Sequence, residues 1–540
     1  MTDTKDHVTT SAQPLPTASP ASKSAGPVSG RKLGWTAVAP GVLSLLLGIY
    51  QVGKPELWRD EIASVSASSR SLGDLFELLG HVDASTGFYY VLLHFWTGLF
   101  GDSLMALRLP SVIAMAAAAV LTAQIGARLY GNASGLAAGL VFALTPGISR
   151  YGQEIRAYAL AVFAVALATF LLLRALERTG SRVRWLAYAA ALVLVALAHV
   201  VALSCLIGHL VAVLLRVRRD GRRGPLLRFG GAVLLGVVCA SPLMLIGHSQ
   251  VKQQLSWLKA PDLSDPLHVG YQLWLTLYAS RSAASIAAVL VVLGVLAPLL
   301  RERKREATVF VVSSAVLPIV AVALISQLGT SYFIARYLLF TLIAWSVLAG
   351  AGLVGAAALL TERVRLPLVR WPGARPVAAV LLSALALAAI WPSQTAVRSY
   401  AAHEWTNIPI GKSPGYLSYE GTADLLAAHA LPGDGLVFMT HSAMMVDLGV
   451  DYYLHDRVRL DQVLVTRTPQ QNASYYSSLC PAPAACLATA PGRIWLVTET
   501  PVSYLTPVQT IERAALLSRY RIAKTYYRSD IHVSLLERTS

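Results

Sequence analysis

Long apolar runs recur along most of this chain with only short polar loops between them, and that repetition decides what it can fold into. A bilayer's hydrocarbon layer takes a helix of about 20 apolar residues, with roughly 17–25 tolerated. Runs near residues 34–51, 107–127, 132–149, 157–174, 185–199, 200–216, 226–247, 285–300, 308–327, 335–360 and 376–391 are candidates, some of them short of that length. About eleven transmembrane helices are therefore expected. Charged residues make up only 14% of the 540, and the mean hydropathy is +0.55. A soluble chain of this length needs more charge than that to cover its surface.

The formal net charge of +16 forms no single patch of the kind that grips nucleic acid; the cations sit in clusters between apolar runs. With the N-terminus inside, the inner loops are ARLYG, RALERTGSRVR, RVRRDGRRGPLLR, RERKRE and TERVRLPLVRWPGAR, and every dense basic cluster falls among them. The outer loops then carry scattered cations only. This is the positive-inside pattern of a multi-pass plasma-membrane protein. Residues 1–33, rich in Ser, Thr, Pro and Ala, read as a disordered cytoplasmic tail, and Arg31 and Lys32 mark the first run as a retained signal anchor. The stretch FYYVLLHFWTGLFG (88–101) is too short to cross and would invert every later loop, so it is expected to lie along the outer interface.

Beyond Trp391 the composition turns polar. Strand-like GLVFM, RIWLV and HVSLLE alternate with helix-like TADLLAAHA and IERAALLSRY, which predicts an extracytoplasmic α/β domain over 392–540, after a transmembrane domain over 34–391. Cys205 and Cys239 lie in apolar runs and read as packing residues. Cys480 and Cys486 flank PAPAA in that outer region, where a local disulfide is expected.

Unusual polar residues collect at the outer ends of the runs. Asp60 and Glu61 follow the first run, where a carboxylate beside a membrane is solvated, paired or used; on residue chemistry alone an ion pair with Arg59 or a helix cap at Asp60 is the simpler reading. SRYGQEIRAYAL places Arg150, Tyr151, Gln153, Glu154, Arg156 and Tyr158 at the mouth of two spans. Arginine there suits a phosphate, and an aromatic belt with charged anchors is the other reading. His199 falls in an outer turn, where a lone histidine satisfies a backbone carbonyl more often than it binds a metal. Arg336, in SYFIARYLLF, contacts a lipid phosphate or anchors its span.

Taken in order, these features resemble the GT-C glycosyltransferases, in particular the protein O-mannosyltransferase and aminoarabinose-transferase type (glycosyltransferase 39/83-like). WRDE, STGFYYVLLHFWTGLFG, ALRLPSVIAMAAAA, SRYGQEIRAYAL, AHVVAL and YFIARYLLF carry the likeness, over roughly 34–390. One departure stands out: the interfacial segment of such proteins usually begins His-Pro-Pro or Lys-Pro, whereas here it reads Asp83-Ala84-Ser85-Thr86-Gly87.

The resemblance implies inverting transfer of a sugar, mannose first, from a polyprenyl-phosphate carrier to a protein, glycan or lipid acceptor outside the cytoplasm. It casts Asp60 as general base and Glu61 as the group that orients the acceptor or binds a divalent ion. Arg156 and Arg336 would bind the donor phosphate, and Glu154, Tyr158 and His199 would shape the sugar pocket. The alternatives are a polyprenyl-phosphate arabinosyltransferase and a non-enzymatic lipid or sugar carrier or transporter. A transporter often shows repeated halves and charges at mid-depth, and neither is visible in this sequence.

Overall fold

The computed structural model describes residues 34–299, 302–363, 388–399, 417–440, 444–455, 457–499, 506–528 and 530–539, together with Thr2 and Leu385. The expected tail and most of the expected span at 376–391 lie outside these residues.

The chain enters through α1 (Trp35–Ile49) and then folds back on itself in α2 (Arg59–Ser68), α3 (Leu72–His81), a 3-10 turn (Ala84–Thr86) and α4 (Gly87–Phe100). The 14 residues of α4 extend about 21 Å, short of a hydrocarbon layer of about 30 Å. The Trp96 indole donates to the carbonyl of Ala106, 2.8 Å away, and fixes the corner into α5 (Leu104–Tyr130). There follow α6 (Asn132–Leu144), α7 (Pro146–Gly152), α8 (Tyr158–Glu177), α9 (Arg182–Ala198), α10 (Cys205–Asp220), α11 (Gly224–Leu255), α12 (Pro266–Tyr278), α13 (Arg281–Leu299), α14 (Glu302–Ile325) and α15 (Leu342–Arg363).

This is a multi-pass membrane protein. Among the described residues, six helical segments are long and apolar enough to cross a bilayer alone, and α12 with α13 qualifies as a bent pair. Leu227, Leu234, Val238 and Leu245 of α11 face no protein, which suits a helix whose flank is solvated by lipid. Within the bundle, small residues replace the hydrophobic drive that lipid cannot supply. A Cβ on Gly294 of α13 would sit 1.9 Å from the Leu348 carbonyl of α15, and one on Gly352 would sit equally close to the Leu290 carbonyl. The two backbones touch.

Three details depart from the sequence reading. The 132–149 run breaks at Thr145, where Pro146 opens α7 and removes a donor that a continuous helix would need. The 335–360 run begins as two 3-10 turns, Ala335–Tyr337 and Leu339–Thr341, and becomes α-helical only at Leu342. The third is α12, whose 13 residues mix His, Gln, Thr and Tyr with apolar side chains and are too few to cross alone. It meets α13 at 112°.

The C-terminal part is α/β. It comprises α16 (Tyr419–His429), β1 (Gly435–Met439), α17 (Val446–Leu454), β2 (Asp461–Gln462), β3 (Val465–Arg467), β4 (Ser478–Leu479), α18 (Pro483–Cys486), β5 (Arg493–Glu499), α19 (Pro507–Leu517), β6 (Tyr520–Arg528) and β7 (Ile531–Arg538). The main sheet runs β2-β1-β5-β7-β6, with β1 parallel to β2 and β5 and with β7 antiparallel to β5 and β6. Trp495 is fully buried and donates to the Asp434 carboxylate at 2.9 Å. Cys480 and Cys486 form a disulfide.

This part shares a core with the loop after α1: Leu57, Ile62 and Leu93 pack in one cluster with Tyr419, Val446, Val450 and Trp495. Polar ties accompany it. The Leu57 amide donates to Tyr453 Oη at 2.9 Å, and Ser418 Oγ donates to Glu56 at 2.9 Å. The α/β part and the first loop therefore occupy the same end of the bundle.

Gly294→Ala and Gly352→Ala are expected to force α13 and α15 apart, an overpacking cost of ~1–3 kcal/mol each. Both should lower the thermal unfolding midpoint in detergent, whereas Gly53→Ala, whose Cβ would meet nothing within 4 Å, should leave it unchanged.

Candidate active site

Asp60 and Glu61 are adjacent in the first turn of α2, so their side chains leave the helix about 100° apart. That angle sends them to different places. Glu61 is fully buried and paired bidentately with Arg108 of α5, at 3.0 Å from both Nε and Nη2. Arg108 Nη1 also donates to the carbonyls of Val52 and Pro55, each at 2.8 Å. The Ile155 amide donates to Glu61 Oε1 at 3.0 Å. Two ions withdrawn from water cost several kcal/mol each unless their hydrogen-bonding groups are satisfied, and here nearly all of them are. The pair clamps three segments together: the end of the first span, α5, and the 153–157 loop.

The role expected for Glu61 therefore gives way to another. Both oxygens are engaged, and a guanidinium stands where an acceptor hydroxyl or a divalent ion would approach. The donor set does not fit a metal at Glu61, and no cluster of three or more His, Cys, Asp or Glu side chains suited to a metal occurs among the described residues.

Asp60 points into a different setting. Its carboxylate lies 3.5 Å from Arg336 Nη2 and 3.5 Å from Arg59 Nε. Burial pushes the carboxyl up, but Arg336, Arg156 and Arg59 together outweigh burial and hold it below the usual carboxylate range. Arg156 Nη1 donates to the Asp60 carbonyl (3.3 Å), Ser64 Oγ (3.3 Å) and Tyr90 Oη (3.1 Å). Tyr90 is anchored in turn by Asp83, to which both Tyr90 (2.7 Å) and Tyr475 (3.0 Å) donate. Asp83 is thus not a counterpart of the usual His or Lys but the fixed end of a relay that holds Arg156. Tyr475 brings the α/β part into it.

Arg336, on the first 3-10 turn before α15, is buried. Its guanidinium carbon lies 5.7–5.8 Å from the ring centres of Trp58, Tyr158, Trp257 and Tyr337. Its Nε and Nη1 have no hydrogen-bond partner among the described residues. His199 packs 4.4 Å from Tyr337 and 6.1 Å from Tyr158, its Nδ1 likewise unpartnered there. Glu154 pairs with Arg150 at 3.3 Å, and its second oxygen is buried without a partner among these residues. Burial dominates over Arg150 and lifts the Glu154 carboxyl to about 7. Unpartnered buried N–H groups cost free energy, and several converging on one spot suit a ligand that satisfies them.

Asp60, Glu154, Arg156, Tyr158, His199 and Arg336 thus converge, while Glu61 stands apart in its clamp. Apart from that clamp, the centre holds four arginines (59, 150, 156 and 336) against three carboxyls (Asp60, Glu154 and, through the relay, Asp83) among the described residues, a balance that favours an anion. Arg108, Trp58, Trp257, Tyr337 and the Asp83 relay were not anticipated. For Arg108 a signal existed: it is a lone cation at the start of an apolar run, and such residues face a partner. Trp257 offered none, since an aromatic at a membrane interface is commonplace.

A multi-pass bundle with a first loop that folds back and an α/β part at the same end is the GT-C fold, and the chain has that fold. Residues 87–246 match the family described as dolichyl-phosphate-mannose-protein mannosyltransferase. The structure is similar to ArnT from Cupriavidus metallidurans in the apo state, with TM-score 0.56 and 14% identity over 92% of this chain and 97% of that one. It is also similar to ArnT from the same organism bound to undecaprenyl phosphate, with TM-score 0.55 and 15% identity over 94% and 99%. A search of curated proteins by sequence gives no match.

Removing Glu61 leaves Arg108 buried and unpaired, a loss of ~3–5 kcal/mol. Glu61→Ala is expected to aggregate or to elute as a misfolded species in size-exclusion chromatography. Asp60→Asn should elute as wild type. Equal behaviour of the two variants would contradict the division of labour between these neighbours.

Proposed function

We propose that the protein transfers a sugar from a polyprenyl-phosphate donor to a hydroxyl acceptor on the outer face of the plasma membrane, with Asp60 as general base. The observation that carries this is Arg336: a buried guanidinium beside Asp60, two of whose nitrogens have no partner among the described residues. The basic clusters of the inner loops support the orientation, with the N-terminus in the cytoplasm and the α/β part outside.

In the mechanism, the donor phosphate lies against Arg336 and Arg156, and its isoprenoid tail runs between lipid-facing helices. The phosphate takes over charge that Asp60 neutralises in the free protein. Arg336 then holds Asp60 less strongly, the carboxylate's proton affinity rises, and a base appears only once the donor is seated. The acceptor oxygen attacks the anomeric carbon from the face opposite the phosphate. Its bond to that carbon forms as the carbon–oxygen bond to phosphate breaks, so configuration inverts. The proton passes to Asp60, and the negative charge leaves on the polyprenyl phosphate, stabilised by the two arginines. Glu154, Tyr158 and His199 bound the sugar. Mannose, the sugar named in the matching family's description, is the first donor to test, and arabinose the second.

Asp60→Asn preserves shape and removes the base. With radiolabelled polyprenyl-phosphate-mannose, its transfer rate should fall by ~10²-fold or more, and wild-type turnover in this variant would refute the assignment. Arg336→Ala should raise the apparent donor KM; an unchanged KM would make Arg336 an anchor only. Glu154, with its carboxyl near 7, is largely protonated below that pH and anionic above it. An anion there repels the phosphodiester, which does not itself titrate in that range. Donor KM should therefore rise as pH rises through about 7, and Glu154→Gln should flatten the profile.

A further inference from the structure

The reverse side of α2 borders a second cavity that the chemistry above does not use. At 100° per residue, Asp60 and Ser64 share the face turned to Arg336 and Arg156. Ile62, Val65 and Ser66 lie on the opposite face, and they line a cleft of about 530 Å³ between α2, α4 and α17. That is within the size range of small-molecule sites, ~300–1,000 Å³.

The cleft's chemistry is unlike that of the reaction centre. Its floor is apolar, built by Leu57, Ile62 and Leu107, and its rim carries His94, Asp102, Asp451, Tyr452, His455 and Gln470. No Lys or Arg is among the described residues that line it, whereas Asp102 and Asp451 are, so a phosphate or other anion would meet carboxylates and no permanent cation. Carboxylates, imidazoles and hydroxyls suit a ligand whose hydroxyls both donate and accept. The walls are helices and turns with no strand edge, so an extended peptide finds no backbone ladder to join. Phe95, Leu99 and Phe100 of α4 are exposed next to cleft-lining Thr97 and Gly98, an apolar flank that places the opening at the membrane interface.

We propose that this cleft binds an uncharged sugar residue of the acceptor, holding it on the far side of α2 from Asp60. The term "acceptor" rests on the transferase reading; the carbohydrate site itself does not. Because α17 supplies one wall, the α/β part takes part in choosing the acceptor.

The test is saturation-transfer NMR on the full-length protein in detergent, without donor, using mannotriose as the probe. Gly98 lines the cleft, and a Cβ added there meets nothing within 4 Å, so Gly98→Trp should fill the space without moving α4. Wild type and Asp60→Asn should bind the probe alike, and Gly98→Trp should lose the signal. In the transfer assay, Gly98→Trp should raise the acceptor KM by about tenfold with kcat and donor KM unchanged, the mark of lost uniform binding. Absence of binding by wild type, equal binding by Gly98→Trp, or displacement of the probe by a Ser/Thr-rich peptide would overturn the proposal. Binding that depends on Gly98 in a protein that transfers no sugar would leave the cleft standing and reject the transferase reading.

Discussion

The ion pair between Glu61 and Arg108 is the contact on which the site depends. A buried, bidentate pair is neutral or worse for stability compared with well-packed apolar residues, but it is specific: an unsatisfied alternative is costly, so one geometry dominates. Here that geometry joins the chain after α1, the start of α5 and the loop before α8. With α2 fixed through Glu61, Asp60 one residue earlier has no freedom to turn away from the arginines. A structural carboxylate thus aims the one proposed as general base.

The proposed reaction centre carries an excess of positive charge, most of it buried, and is ringed by aromatic side chains. Such a centre is poorly satisfied alone. Asp60 meets one edge of Arg336, and the other donors of that guanidinium find no partner among the described residues. The same low-dielectric surroundings that make this costly would make a bound phosphate's contacts strong. The Asp83–Tyr90–Arg156 chain extends the arrangement to Tyr475, so the α/β part is wired into the reaction centre by hydrogen bonds as well as packed against its first loop.

Much of this was legible in the sequence, because apolar length and loop charge are strong, local signals. The runs from 34 to 360 appear as helices, and GLVFM, RIWLV and HVSLLE fall in β1, β5 and β7. Breaks inside apolar runs were harder to see. Pro146 interrupts one run, and the turns around Arg336 replace the start of another, because a run's composition says how much lipid it tolerates and not where its hydrogen bonds stop. Six of the singled-out polar residues meet because they sit at the same ends of neighbouring spans. The pairing of Glu61 was hidden for a reason sequence could not expose: two adjacent carboxylates look alike until the partner of each is known. Arg108 lies 47 positions from Glu61, and nothing local links them.

The most direct measurement is a cryo-EM structure of the protein with undecaprenyl phosphate. The phosphate should sit within hydrogen-bond distance of Arg336 Nε or Nη1, which have no partner among the described residues, and Arg336 should lie farther from Asp60 than the present 3.5 Å. A phosphate bound elsewhere, with Arg336 still against Asp60, would show that the arginine serves only to neutralise the carboxylate, and the proposed reaction centre would fall with it.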